Sequence, residues 1–310
     1  MDLKKYFRRK KIAVLMGGWS AEREISLKTG KAVSRALHED GFCVEEIILR
    51  KTWLADLKKR NVSFVFIALH GPYGEDGTVQ GLLDAAGIPY SGPGVSASAV
   101  SMNKAAAKAI WDAKKLVTPA WWEVHQALNK NEIKFFENKL PVVIKPNSQG
   151  SAFGVSIVRH LREIPKAVQG ALTYDTSVLI EKYISGTEIT VGIIGRKPLE
   201  VIEIKPKGSF YDFKSKYEIG GSDHIIPANV SKRVREKAKR IALSAYQSLG
   251  CEVMARIDMM VNRQEKIFLL ESNTIPGMTE TSLLPEAARF EGMSFLKLVK
   301  KIIELSLQKK

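Results

Sequence analysis

The chain has 310 residues, 45% of them hydrophobic and 26% charged, with 48 lysines and arginines against 33 acids for a formal charge of +15. This is ordinary globular usage and excludes disordered, collagen-like and disulfide-scaffold classes, while no apolar run approaches the ~18 residues of a membrane span. A soluble chain of this length buries about three-quarters of its unfolded surface, which points to two or three domains.

The basic stretch 1–11 runs into an apolar segment, 12–16, too short for a signal sequence and closed by Gly17 and Gly18, so no cleaved leader is expected. Residues 12–16 predict a strand. Val33, Ala36 and Leu37 at i, i+3, i+4 predict a helix, and 42–49 and 64–69 two more strands. Strands alternating with helices predict a parallel sheet between helical layers. The turn-rich segment 88–94 closes this unit. A second unit opens at Met102-Asn103-Lys104 with an alanine-rich helix, then Pro119 and two tryptophans. Strands are expected at 141–145, 155–158 and 178–183, the first two forming a hairpin around the glycine-bearing loop 146–154. A third unit carries strands at 188–195 and 199–204, joined by Arg196-Lys197-Pro198. Next comes 207–228, with Gly208, Gly220 and Gly221 and no apolar period; a loop this long is functional or disordered. Ser231 predicts the N-cap of a helix buried through Val234, Ala238, Ile241, Ala242 and Ala245 and ended by Gly250. Strands at 254–261 and 267–273 follow. Phe295, Leu298, Val299 and Ile302 give a closing amphipathic helix.

The most informative residues lie on the last two strands. If 263–266 form their turn, paired positions sum to about 529, setting Asp258 opposite Glu271 and Arg256 opposite Asn273. Facing carboxylates repel unless a cation lies between them. Hard oxygen donors suit magnesium, which takes one or two carboxylates plus substrate phosphates. The same face completed by Arg256 is a surface salt-bridge patch, and the residues alone admit both readings. Lys145, the loop holding Gly150 and Gly154, and nearby Lys182 form a second constellation, either a phosphate cradle or a turn with solvated lysines. The spacing is not that of a P-loop, and Gly17-Gly18 lacks the third glycine of a dinucleotide fingerprint. Pro276-Gly277, directly after the acidic strand, can aim a backbone N–H into the same pocket. The basic excess is spread over 4–11, 58–60, 232–240 and 300–310, which suits solvated faces and a small phosphorylated ligand better than nucleic acid. Two distant cysteines, Cys43 and Cys251, fit a reduced cytosolic compartment.

With these motifs in place, the chain from about 11 to 306 resembles the D-alanine–D-alanine ligases of the ATP-grasp superfamily. The resemblance is carried by Gly17-Gly18-Trp19-Ser20-Ala21-Glu22-Arg23-Glu24, His70-Gly71, Gly74-Glu75-Asp76-Gly77, Met102-Asn103-Lys104, Lys145-Pro146, Gly150-Ser151, Phe210-Tyr211-Asp212, Lys216-Tyr217, Arg256-Ile257-Asp258 and Asn273-Thr274-Ile275-Pro276-Gly277-Met278-Thr279. It implies an α/β, three-lobed ATP-grasp fold: an N-terminal parallel-sheet (Rossmann-like) substrate domain, 1–103; a central lobe, 104–186; and a C-terminal lobe with lid loop and metal site, 187–310. The implied reaction joins two D-alanines through an acyl phosphate, using ATP and two magnesium or manganese ions, in a cytoplasmic homodimer without nucleic-acid or membrane partners. The nearest alternative is another ATP-grasp ligase joining a different carboxylate to a different amine.

By the same resemblance, Asp258, Glu271 and Asn273 are the metal ligands, and Lys104, Lys145 and Lys216 contact phosphates. Glu181, Lys182, Tyr183 and Ile184 hold adenine, and Glu188 the ribose. Arg256 and the Gly277 N–H stabilise the acyl phosphate and oxyanion. Glu22 meets the first substrate's ammonium, His70 lies near its carboxylate, and Ser282 and Leu283 meet the second substrate. Glu22, Ser151 and Tyr217 form a hydrogen-bonded trio joining the lobes, and a tyrosine at 217 implies an amine acceptor. Gln149, Ala152-Phe153, Ser272, Ile275 and Glu280 depart from the family's usual residues, which leaves open nucleotide affinity and second-substrate choice.

Overall fold

The computed structural model describes residues 1–206 and 222–309. Its first sheet places β1 (Lys11–Gly17) between β2 (Val44–Leu49) and β3 (Val62–Ile67), all parallel as the alternation of strands and helices requires. Tyr90, inside the turn-rich segment, adds a parallel bridge to Val65 and extends the sheet by one rung. Around it lie α1 (Leu3–Tyr6), α2 (Arg23–Glu39), α3 (Trp53–Lys59) and α4 (Thr78–Ala85). Helix α2 crosses β1 at Gly30, where an added Cβ would fall 2.6 Å from the Met16 Cβ; only glycine permits so close a crossing.

Helices α5 (Val95–Met102) and α6 (Lys104–Ala113) lead into a four-stranded antiparallel sheet of order β4-β7-β5-β6: β4 (Trp121–Val124), β5 (Val142–Pro146), β6 (Ser156–Val158) and β7 (Val178–Lys182). The short edge strand β4, with two tryptophans and no clean alternation, is absent from the sequence reading. Between these strands lie α7 (Lys130–Lys134) and α8 (Ile164–Leu172), whose Ile164, Val168 and Ala171 close the core of this sheet.

The third sheet is antiparallel, with order β11-β10-β8-β12-β13: β8 (Gly186–Ile194), β10 (Ile202–Pro206), β11 (Ser222–Ile225), β12 (Met254–Asn262) and β13 (Ile267–Asn273). The expected turn at 196–198 is tighter than predicted. Lys197 and Pro198 form a two-residue strand, β9 (Lys197–Pro198), folding back on Ile194 and Ile193, so β10 begins three residues later than the predicted 199. Helix α9 (Lys232–Ser248) covers one face, its Ser231 side chain accepting from the Val234 N–H as the predicted cap. Its Ala238, Ala242 and Ala245 pack on Val191, Ile193, Ala255 and Ile257, the full burial of each valine or isoleucine contributing roughly 1.5–3 kcal/mol. Because side chains alternate along a strand, Thr190, Arg256 and Asp258 emerge on the opposite face. Helices α10 (Leu283–Phe290) and α11 (Phe295–Ser306) close the chain. Leu284, Leu298 and Ile302 enter the same core as Ile12, Leu37 and Phe66 of the first sheet.

Candidate active site

The β12–β13 ladder has the register read from the sequence: Arg256 pairs with Asn273 and Asp258 with Glu271. A bulge follows directly, so Met259 pairs with Leu269 rather than continuing the count. Asp258 is buried, and its carboxylate is gripped from three sides. Arg256 Nε donates to Oδ1 at 2.9 Å and Nη2 to Oδ2 at 2.8 Å, while Thr190 Oγ1 on β8 donates to Oδ1 at 2.6 Å. The salt bridge is real, but it is buried rather than a surface patch. Glu271 lies 3.7 Å from Lys104 Nζ, and the Asn273 Oδ1 accepts the Ile275 N–H at 3.1 Å. Two opposed carboxylates and an amide oxygen are hard donors that fit magnesium or manganese. Among the described residues no three histidines, cysteines or acids form a ready cage, so substrate oxygens would have to complete the coordination.

Opposite this hairpin stands the 147–154 loop between β5 and β6. The N-terminus of α6 docks on it: Lys104 N–H donates to Asn147 O at 3.1 Å, Ala105 N–H to Asn147 Oδ1 at 2.8 Å, and Lys104 Nζ to Gln149 O at 2.6 Å. Ser151 and Ala152 both take positive φ, 52° and 59°, a conformation costly outside glycine and typical of functional loops. The Ser151 hydroxyl donates to the Glu22 carboxylate, tying the loop to the start of α2. Glu22 is itself buried in a cradle of glycines. A Cβ at Gly71 would lie 2.5 Å from its Oε2, and one at Gly150 3.0 Å.

Just past β3, buried His70 shares a hydrogen bond of 3.0 Å between Nε2 and Thr29 Oγ1. Burial pushes its imidazole below the usual histidine range, against the pull of Glu22, so the ring is neutral at pH 7. Glu75, which enters the sequence reading only inside a motif, accepts the Gly71 N–H at 2.7 Å. Burial foremost, then the Glu22 charge, pushes its carboxyl up to about 8. Its signal in the sequence was the Gly74-Glu75-Asp76-Gly77 run, whose acid has no helix or strand face to serve.

These groups surround a cavity of about 270 Å³ walled by Glu22, His70, Glu75, Arg256, Gly277 and Ser282, with Ser151 and Leu283 also at its edge. The Ser282 hydroxyl accepts the Thr279 N–H at 3.0 Å, shaping the turn that holds Gly277. A second cavity of about 120 Å³ adjoins it, walled by Lys145, Glu181, Lys182, Tyr183, Ile184 and Glu188, with Asp258 at its edge. Lys104, Gln149 and Glu271 belong to both walls. The described members of the two predicted residue sets, one for small substrates and one for nucleotide, therefore occupy neighbouring chambers with the acidic hairpin at their junction. The Lys182 ammonium does not turn toward the 147–154 loop; it donates to Lys139 O at 2.8 Å and Leu140 O at 3.0 Å. Lys145 lies 3.0 Å from Glu181. Lys216 and Tyr217, with most of the 207–228 segment, lie outside the described residues.

The chain matches the family models described as D-ala D-ala ligase N-terminus, over residues 53–93, and D-ala D-ala ligase C-terminus, over 104–304. It is 46% identical over 297 residues to a D-alanine–D-alanine ligase of Citrifermentans bemidjiense, covering 96% of each chain. Against the same-named protein of Pelotomaculum thermopropionicum identity is 44% over 308 residues, covering 96% and 97%. Among solved structures, the D-alanine–D-alanine ligase of Bacillus anthracis complexed with ATP superposes with a TM-score of 0.85 at 36% identity, covering 96% of this chain and 98% of that one. The VanG D-Ala:D-Ser ligase of Enterococcus faecalis superposes with a TM-score of 0.84 at 30% identity, covering 96% and 99%.

Proposed function

The chain belongs to the D-alanine–D-alanine ligase family, and we propose on that premise that it joins two D-alanines at the expense of ATP, giving D-alanyl-D-alanine, ADP and phosphate for peptidoglycan synthesis. The observation that carries this reading is the pair of adjoining chambers sharing Lys104, Gln149 and Glu271. A nucleotide in the smaller chamber directs its terminal phosphate at amino-acid substrates in the larger one. Three lobes follow from the three sheets, and we place their limits at 1–103, 104–186 and 187–310.

In the first step a D-alanine carboxylate oxygen attacks the γ-phosphorus and ADP leaves, forming an acyl phosphate. The amine of the second D-alanine then attacks that carbonyl, and the tetrahedral intermediate expels phosphate. Such transfers are accelerated by positioning, charge neutralisation and exclusion of water. Glu22 accepts the first substrate's ammonium, and neutral His70 stands near its carboxylate. Lys104 and Lys145 hold the phosphates, together with Lys216. Glu181, Lys182, Tyr183 and Ile184 bound the adenine subsite and Glu188 the ribose. Arg256 offsets charge on the acyl phosphate, and the Gly277 N–H faces the oxyanion. Ser282 and Leu283 bound the second substrate, and the resemblance assigns Tyr217, outside the described residues, to a role beside Ser151 and Glu22. Asp258, Glu271 and Asn273 would hold two magnesium or manganese ions, which would supply positive charge to neutralise the triphosphate.

We also propose a cytoplasmic homodimer; among the described residues no helix is long and apolar enough to cross a membrane. ADP release tests the reading. Turnover should require ATP, a divalent cation and D-alanine, with L-alanine inert, and D-alanine-independent release would refute it. D-serine as acceptor is the control, because a D-Ala:D-Ser ligase shares the fold. Asp258→Asn should lower kcat at least about a hundredfold and weaken Mn²⁺ binding read by electron paramagnetic resonance; near-normal values of both would remove the metal assignment.

A further inference from the structure

One member of a buried charge cluster, Lys108, has no role in the chemistry above. Helix α6 carries Lys104 and, one turn on, Lys108. Lys104 reaches the loop carbonyl of Gln149, whereas Lys108 is fully buried and points at β7. Its Nζ lies 2.9 Å from Glu181 Oε1, and the Lys145 Nζ lies 3.0 Å from the same oxygen. Both are ion pairs at hydrogen-bonding distance, so charge and hydrogen bonding act together on one carboxylate oxygen. Two cations thus share one carboxylate, and only Lys145 and Glu181 reach the smaller chamber. Burial tends to raise Glu181, but the lysines together hold it below the ordinary glutamate range. Burial lowers the Lys108 ammonium, Glu181 opposing and Lys145 reinforcing the effect.

A single lysine on a buried carboxylate forms a neutral pair. Drawing it away leaves an uncompensated buried charge, one of the costliest defects in a protein interior. The trio has a different property. Lys108 is confined to the interior and keeps Glu181 neutralised wherever Lys145 turns, and it leaves a surplus positive charge facing the nucleotide groove.

We infer that Lys108 is a positioning residue for nucleotide binding: it holds the Glu181 carboxylate so that Lys145 can exchange that partner for a phosphate oxygen. The inference rests on the smaller chamber being the nucleotide site. The probe is ADP with Mg²⁺, titrated calorimetrically into the full-length protein without D-alanine, alongside steady-state kinetics. Lys108→Met keeps side-chain length and removes the charge. It should weaken ADP binding and raise the KM for ATP about tenfold, with the KM for D-alanine within about twofold of wild type, a split that general loosening of the fold would not produce. In a Glu181→Gln background nothing remains for Lys108 to neutralise, so Lys108→Met should then change ADP affinity less than about threefold. That comparison decides the matter alone if the single variant fails to fold. Unchanged ADP affinity in Lys108→Met, or an equal loss in the Glu181→Gln background, overturns the inference. Failure of wild-type protein to bind ADP instead removes the nucleotide assignment of the chamber.

Discussion

Glu75 makes the energetic tension of the site measurable. In the unfolded chain its carboxyl titrates near 4.5; in the folded protein burial and the Glu22 charge move it to about 8. Between those values the folded state binds the extra proton, so stability falls as pH rises through the window. Below pH 4.5 the group contributes no penalty, and above about 8 it contributes all of it. At about 1.4 kcal/mol per pH unit the ceiling is about 5 kcal/mol, and water penetration with relaxation of the Glu22 pair brings the expected value to roughly 2–3 kcal/mol. Glu75→Gln keeps the shape and an oxygen to accept the Gly71 N–H but cannot ionise. Urea denaturation of both proteins at pH 5 and pH 8 should show the variant gaining that amount relative to wild type at the higher pH. A carboxyl ¹³C titration of Glu75 gives the same shift directly. A stability difference that stays flat from pH 5 to 8, with Glu75 titrating near 4.5, would refute the argument.

Two further outcomes follow from named contacts. An alanine at Gly186, the first residue of β8, would put its Cβ 1.9 Å from the Val261 carbonyl oxygen, so Gly186→Ala should cost about 3 kcal/mol or more and collapse the soluble yield; a wild-type urea midpoint would contradict this. Removing the Ser151 hydroxyl strips a charged hydrogen bond from Glu22, so Ser151→Ala should lower kcat/KM for D-alanine about tenfold to a hundredfold while ADP affinity stays within about threefold; unchanged D-alanine kinetics would show that the link is incidental.

Much of this was legible in the sequence because its signals were local. Alternation of strand and helix gave the parallel sheet, and a turn at 263–266 fixed the register that opposes Asp258 and Glu271. The bulge one residue later was hidden, since no glycine marks the extra residue on β13. Lys108 was hidden for another reason. Among alanines on a helix it looks like a solvated lysine, and only packing against Glu181 turns it inward. Lys182 is the opposite case. It sits beside the phosphate loop in sequence logic, yet the register pairing Val142 with Lys182 carries it to the Lys139 and Leu140 carbonyls. Glu75 needed its burial known before its charge state meant anything.

The core that Leu284, Leu298 and Ile302 share with Ile12, Leu37 and Phe66 has a consequence for the growing polypeptide. At about 5–20 residues per second, Leu298 leaves the ribosome on the order of 10–50 s after Ile67. Throughout that interval the nascent parallel sheet has one greasy flank without its cover, a ready target for chaperones or for aggregation. Synthesis stalled before α11 should therefore yield sticky, protease-sensitive intermediates even though every strand of that sheet has already been made.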